Sequence, residues 1–193
     1  MTSELLDPRC VANLILDKAD EKGFGLTHIQ LQKILYFVHG LHLVRYNHPL
    51  VRGAFEAWTY GPVHTLIYDE FKSAGSAEIA HRATKEDLFT GERTPVPKIE
   101  DERILSLVDD ILNTLGQMSA GQLVELSHAK SGPWGWVVGK SHTIYGKIGV
   151  GARNESFGLR ISDKLIRERY RYHWVDLAEK DEPFHGVEQE PVL

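Results

Sequence analysis

Apolar residues recur at helical spacing along much of this chain. Val11, Leu14, Ile15 and Ala19 fall on one stripe. Asp7-Pro8 stands just ahead of them, an N-cap followed by a first-turn proline. Gly23 and Gly25 end that helix. Thr27 caps the next one, with Gln30 as its capping-box partner three residues on. Leu31, Ile34, Leu35, Val38 and Leu41 form its stripe, and Phe37 widens it. Gly40 lies inside this run, at a cost of roughly 1 kcal/mol against Ala in an exposed helix. Its small size would allow a close helix contact. The cleanest helical pattern spans 99–115, with Ile104, Leu107, Val108, Ile111, Leu112 and Leu115 on one face and Gly116 as its stop. Ser119 caps a helix over 120–128. Ser162 caps a last one, opened by Ile161-Ser162 and continued through Leu165, Ile166 and Arg169 to Tyr172.

Other stretches lack this period. Asn47-His48-Pro49-Leu50 reads as a turn. Residues 54–59 alternate and predict a short strand, which Gly61-Pro62 breaks before a helix over 63–71 that ends near Gly75. Residues 73–97 read as a long loop with one short element near 85–88. Ser131-Gly132-Pro133-Trp134-Gly135 reads as a rigid aromatic turn, and 142–151 is glycine-rich and β-prone. Apolar density falls after Trp174. The pattern predicts a mainly α (α+β) fold: one compact helical domain over 1–174 with a small β element, then a short flexible tail over 175–193. Leu31, Ile34, Leu35, Val38, Leu107, Ile111 and Leu115 are its expected core.

Charge sharpens that division. The chain of 193 residues has 27 acids and 22 bases. Six of the acids (Asp176, Glu179, Asp181, Glu182, Glu188 and Glu190) and one base (Lys180) lie after Trp174, which leaves 21 of each sign before it. A neutral body argues against nucleic-acid binding, which needs a basic footprint. The one basic cluster, Arg160, Lys164, Arg167, Arg169 and Arg171, is diluted by Asp163 and Glu168 and reads as a solvated helix face. No apolar run approaches the ~20 residues of a membrane span. The first residues lack the pattern of a secretory signal. A single cysteine, Cys10, suits a reducing compartment, so a cytoplasmic location is expected.

Leu31-Gln32-Lys33-Ile34-Leu35-Tyr36-Phe37 followed by Glu56-Ala57-Trp58-Thr59-Tyr60-Gly61-Pro62-Val63 is a specific pairing. It resembles the Panacea domain family, which includes SocA-type antitoxins and phage-associated GepA-like proteins. In that family an L-Q-K-[IL]-L-Y-[FY] helix leads to an E-A-W-x-Y-G-P-V turn. Leu126-Ser127-His128 with Pro133-Trp134 is similar to a second family element, and Ile161-Ser162-Asp163-Lys164-Leu165-Ile166 to a third, with Lys164 where an acid is common. The resemblance implies an antitoxin that neutralises a cognate protein toxin by direct binding and is turned over by proteases. A phage or prophage accessory protein that binds another host factor, or a transcriptional autoregulator, is the alternative. The toxin's identity and the oligomeric state stay open.

Candidate partner-binding residues are Trp58, Tyr60, Gly61, Pro62, His128, Pro133 and Trp134, on the two rigid aromatic turns, with Arg167 and Arg171 on the last helix. Trp58 could equally be core, with its turn seating the following helix. Ten histidines raise the question of metal. His39 and His42 share a helix face, but no C-x-x-C or H-E-x-x-H accompanies them, and partly buried, hydrogen-bonded roles fit them better. No P-loop, G-x-G-x-x-G or G-x-S-x-G is present. Neither a cofactor nor a catalytic group is expected, and Cys10 reads as a small buried hydrophobe.

Overall fold

A computed structural model of the chain describes residues 5–87, 89–145 and 156–174, with backbone alone for 141–145. The acidic tail over 175–193 lies outside the described residues, as does most of the β-prone stretch 142–151.

Helix α1 (Pro8–Glu21) starts where the sequence places it: Asp7 accepts a hydrogen bond from the Arg9 backbone N–H. Helix α2 (His28–Tyr46) carries the predicted capping box of Thr27 and Gln30 and ends at Asn47, whose φ of 55° closes the helix in the left-handed region. Helix α4 (Glu102–Leu115) begins three residues later than the apolar pattern suggests, because Asp101 caps it. Between them lie α3 (Thr65–Phe71) and a 3-10 turn over Lys72–Ala74. Helix α5 (Ala120–Ser127) is capped by Ser119 with a second capping box, to Gln122. Helix α7 (Asp163–Arg169) is capped by Ser162.

The expected core residues are all buried. One expectation about them changes. The stripe on α2 predicted an amphipathic helix, yet Leu31 to Gly40 is buried without a break, Gln32, Lys33 and His39 included. Helix α2 is the axis of the domain, with α1, α4, α5, α7 and a small sheet packed around it. A helix enclosed on all sides needs no polar face, but each polar side chain on it needs a partner.

The β content exceeds expectation. Strand β1 (Phe55–Trp58) matches the predicted element. Gly61-Pro62 does not break the chain's extended course; it opens β2 (Gly61–His64), which pairs antiparallel with β1. The following helix therefore starts at Thr65 rather than Val63. The supposed loop contains a hairpin of β3 (Thr84–Glu86) and β4 (Arg93–Pro95). Strand β5 (Ser156–Ile161) pairs with β1 on its other side and completes a sheet in the order β2-β1-β5. Ile161 belongs to that strand, so the last helix begins only at Asp163, and it ends at Arg169 rather than Tyr172. Pro133 is the first residue of helix α6 (Pro133–Tyr145) rather than part of a turn. Proline is well suited to a helix's first turn, where its missing N–H is no loss. The helix extends into the stretch read as β-prone.

Gly40 sits where Tyr170 crosses α2. A Cβ at Gly40 would run into the Tyr170 ring. That ring is held in place, because its hydroxyl donates to the Phe37 carbonyl at 2.8 Å. Gly40→Ala should therefore lower the melting temperature, since a forced shift in a packed core costs roughly 1–3 kcal/mol and exceeds the roughly 1 kcal/mol of helix propensity gained. Thermal denaturation of the variant checks the sign.

Candidate functional site

Strand β2 lies at the open edge of its sheet, where unpaired backbone groups would be left without partners. Two side chains of α2 fill that edge. The His64 N–H donates to Gln32 Oε1 at 2.9 Å, and Gln32 Nε2 donates back to the His64 carbonyl at 3.4 Å. Lys33 Nζ donates to the Pro62 carbonyl at 2.8 Å. A proline has no N–H to offer a ladder, so the edge is where a sheet tolerates it. The Gln-Lys pair of the helix motif thus holds the backbone of Pro62, in the second motif, and of His64, just after it.

Burial makes this grip unusual. Lys33 is 1% exposed. Loss of hydration favours its neutral form and pulls its pKa from the usual lysine range to about 7. Gly61, next to it, has a φ of 96° and is buried. A Cβ there would stand 2.5 Å from Ser127 Oγ and 3.0 Å from Lys33 Nζ, so glycine is required both by its φ and by the available space. Thr59 and Tyr60 form the turn without a positive φ, and Gly61, paired with Trp58, is its left-handed residue. That arrangement, with the left-handed residue just after the turn, is a common form of short hairpin.

A second brace comes from α5 and α6. His128 and Trp134 stack with centroids 3.8 Å apart and planes 4° from parallel. The Trp134 indole N–H donates to the Trp58 carbonyl at 3.0 Å. Trp58 is half-buried against Tyr68, with centroids 4.7 Å apart, and its own indole N–H donates to Glu56 Oε2 at 3.1 Å. His128 and Trp134 therefore meet the hairpin that carries Trp58, Gly61 and Pro62, and Pro133 opens the helix that carries Trp134. Tyr60 stands at the hairpin's tip, 41% exposed.

The two arginines separate. Arg167 bonds Asn47 at the end of α2, away from the hairpin. Arg171 lies beside Tyr172, with its guanidinium carbon 4.9 Å from the ring centroid. His39 and His42 are buried and hydrogen-bonded, to Asp163 Oδ1 at 3.2 Å and the His48 carbonyl at 2.7 Å. Cys10 is buried, which raises its thiol pKa. Two clefts, of about 400 and 820 Å³, flank residues 97–99, and neither is lined by a motif residue. Sequence reasoning missed Gln32 and Lys33 as site residues, although both stand in the quoted motif. The signal was there: two polar residues inside an otherwise apolar helical run.

The central helix thus holds the hairpin through Gln32 and Lys33, and Tyr60 stands exposed at the tip. Comparison with known proteins gives the family. A family model described as "Antitoxin SocA-like, Panacea domain" matches residues 31–135. The chain is 41% identical over 173 residues to Antitoxin SocA of Caulobacter vibrioides (strain NA1000 / CB15N), covering 90% of this chain and 87% of that protein. The chain belongs to the SocA-like antitoxin family of the Panacea domain. No solved structure matches it. Among the described residues, no helix is long and apolar enough to cross a membrane.

Gln32→Ala should destabilise the fold by roughly 2–4 kcal/mol, because it strips a buried N–H and a buried carbonyl of their partner at once. Chemical denaturation measures this. The pH dependence has a definite sign. Burial, then the charge of Lys33, lowers the His128 pKa to about 4. The folded state thus holds a neutral ring that the unfolded chain would protonate near 6.5. Stability from this group is complete above 6.5 and is lost as pH falls toward 4. Lys33 works in the same direction at higher pH: its penalty grows as pH falls from about 10.5 to about 7. Melting temperature should climb from pH 4 to 6.5, and in a Lys33→Met variant the further rise between pH 7 and 10 should disappear.

Proposed function

We propose that this protein acts in the cytoplasm as the antitoxin of a toxin–antitoxin system and neutralises a cognate protein toxin by direct contact at the Trp58–Pro62 hairpin. The observation that carries this reading is Tyr60, a large aromatic left 41% exposed on a turn that is clamped from behind. Aromatic anchors on rigid supports lose little entropy when a partner binds, and such residues dominate interface energies. Trp58, Gly61, Pro62, His128, Pro133 and Trp134 hold the tip in place, and Tyr60 makes the contact. An interface of ordinary size, about 800 Å² on each side, extends beyond the tip itself. Blockade of this kind requires neither a catalytic residue nor a cofactor.

Co-expression with the adjacent open reading frame tests the reading, because a cognate toxin kills alone and is harmless beside its antitoxin. With purified components, titration should reach its endpoint at a fixed molar ratio and be insensitive to chelator. Neutralisation at far lower ratios would indicate turnover and overturn it. Tyr60→Ala should keep the parent's melting temperature and weaken toxin binding by about tenfold or more, as loss of an anchor worth more than ~1.4 kcal/mol does. Unchanged affinity in this variant would move the interface away from the hairpin.

A further inference from the structure

The neighbouring indole on α6 belongs to a different arrangement. Lys140 Nζ lies 3.9 Å from the centroid of Trp136. The Arg169 guanidinium carbon lies 5.0 Å from that same ring and 5.7 Å from Tyr172. Arg171 stands 4.9 Å from the other ring and donates to the Tyr172 hydroxyl at 3.1 Å. Three cations and two rings thus alternate across the surface between α6 and the residues after α7. Each ring lets the cations approach more closely than their mutual repulsion alone would allow. Among the described residues, no carboxylate pairs with Lys140, Arg169 or Arg171. Arg169 is held in place, since its Nη1 donates to the Ser131 carbonyl at 2.9 Å. This is a row of positive charge, anchored at Arg169, on a protein whose net charge is −5.

We infer that this cation–aromatic ladder is a docking surface for the chain's own acidic segment, Asp176 to Glu190. The complementarity is direct: six acids and one base in that stretch, against three cations with no acidic partner among the described residues. The tether is short, because Asp176 follows Tyr172 by four residues. A covalent link of that length keeps the local concentration of carboxylates high, so pairs that are weak singly act together.

The experiment uses the full chain. A nitroxide is attached at Val187→Cys in a Cys10→Ala background, and signal loss is read by NMR at the Trp136 indole and the Arg171 amide. Both signals should lose intensity at low salt and recover it at high salt, because the contact is screened. Arg169→Gln with Arg171→Gln should abolish the loss. Since Arg169 also braces Ser131, a second variant carries Glu179, Asp181, Glu182, Glu188 and Glu190 as amides, which leaves every described contact intact and should abolish the loss equally. No signal loss in the parent, or loss that survives removal of the tail charges, overturns the inference. The readout needs no toxin, so its failure would leave direct neutralisation standing.

Discussion

The structure depends on one grip: Gln32 and Lys33, at the start of the central helix, hold the open edge of β2. An edge strand inside a packed domain poses a problem of unmet backbone groups, met by short strands, prolines, bulges, charges or a covering helix or loop. Here a helix covers it with two long polar side chains. Gln32 serves both the donor and the acceptor of His64, and Lys33 serves the Pro62 carbonyl. The cost is a lysine taken wholly out of water, whose pKa burial lowers to about 7. The consequence is a hairpin whose backbone is set by the domain axis itself.

Everything on the candidate surface inherits that position. Gly61 packs against Lys33 and Ser127, which aligns α5 with the hairpin. His128 at the end of α5 stacks on Trp134, and Trp134 returns to the Trp58 carbonyl. The circuit leads from α2 to β2, α5, α6 and back to β1. On the proposed reading its product is a tip that costs little entropy to present. Helix α6 also links this region to the basic ladder, since Trp134 faces the hairpin and Trp136 faces Arg169.

Helix positions were legible because their signals are local. Asp7-Pro8, Thr27 with Gln30, Ser119 and Ser162 each cap a helix in the structure, and each cap is a contact between residues within three positions of one another. The face of α4 was legible for the same reason, because one side of it meets water. Strand β5 and the hairpin over 84–95 were not, since short strands are defined by a partner elsewhere in the chain rather than by their own period. Pro133 was ambiguous: proline suits a turn and a helix's first residue equally.

The sequence by itself determined the capped starts of α1, α2, α5 and α7, the central core residues from Leu31 to Val38 and Leu107 to Leu115, and that two motifs 25 residues apart belong together, Leu31 with Glu56 onward. Only the tertiary structure decided why they do. A stripe on α2 says that one side is buried; it does not say that the other side is too, and the burial of Lys33 follows from what packs there. The candidate residues were read on two turns, and packing brought Trp134 against Trp58, 76 residues away, with Tyr60 exposed at the tip. Arg167 and Arg171, neighbours on one helical pattern, point to different partners because the helix ends between them. Local hydrogen bonds and periodicity are encoded within a few residues, whereas burial and proximity are properties of the whole chain once it has closed on itself.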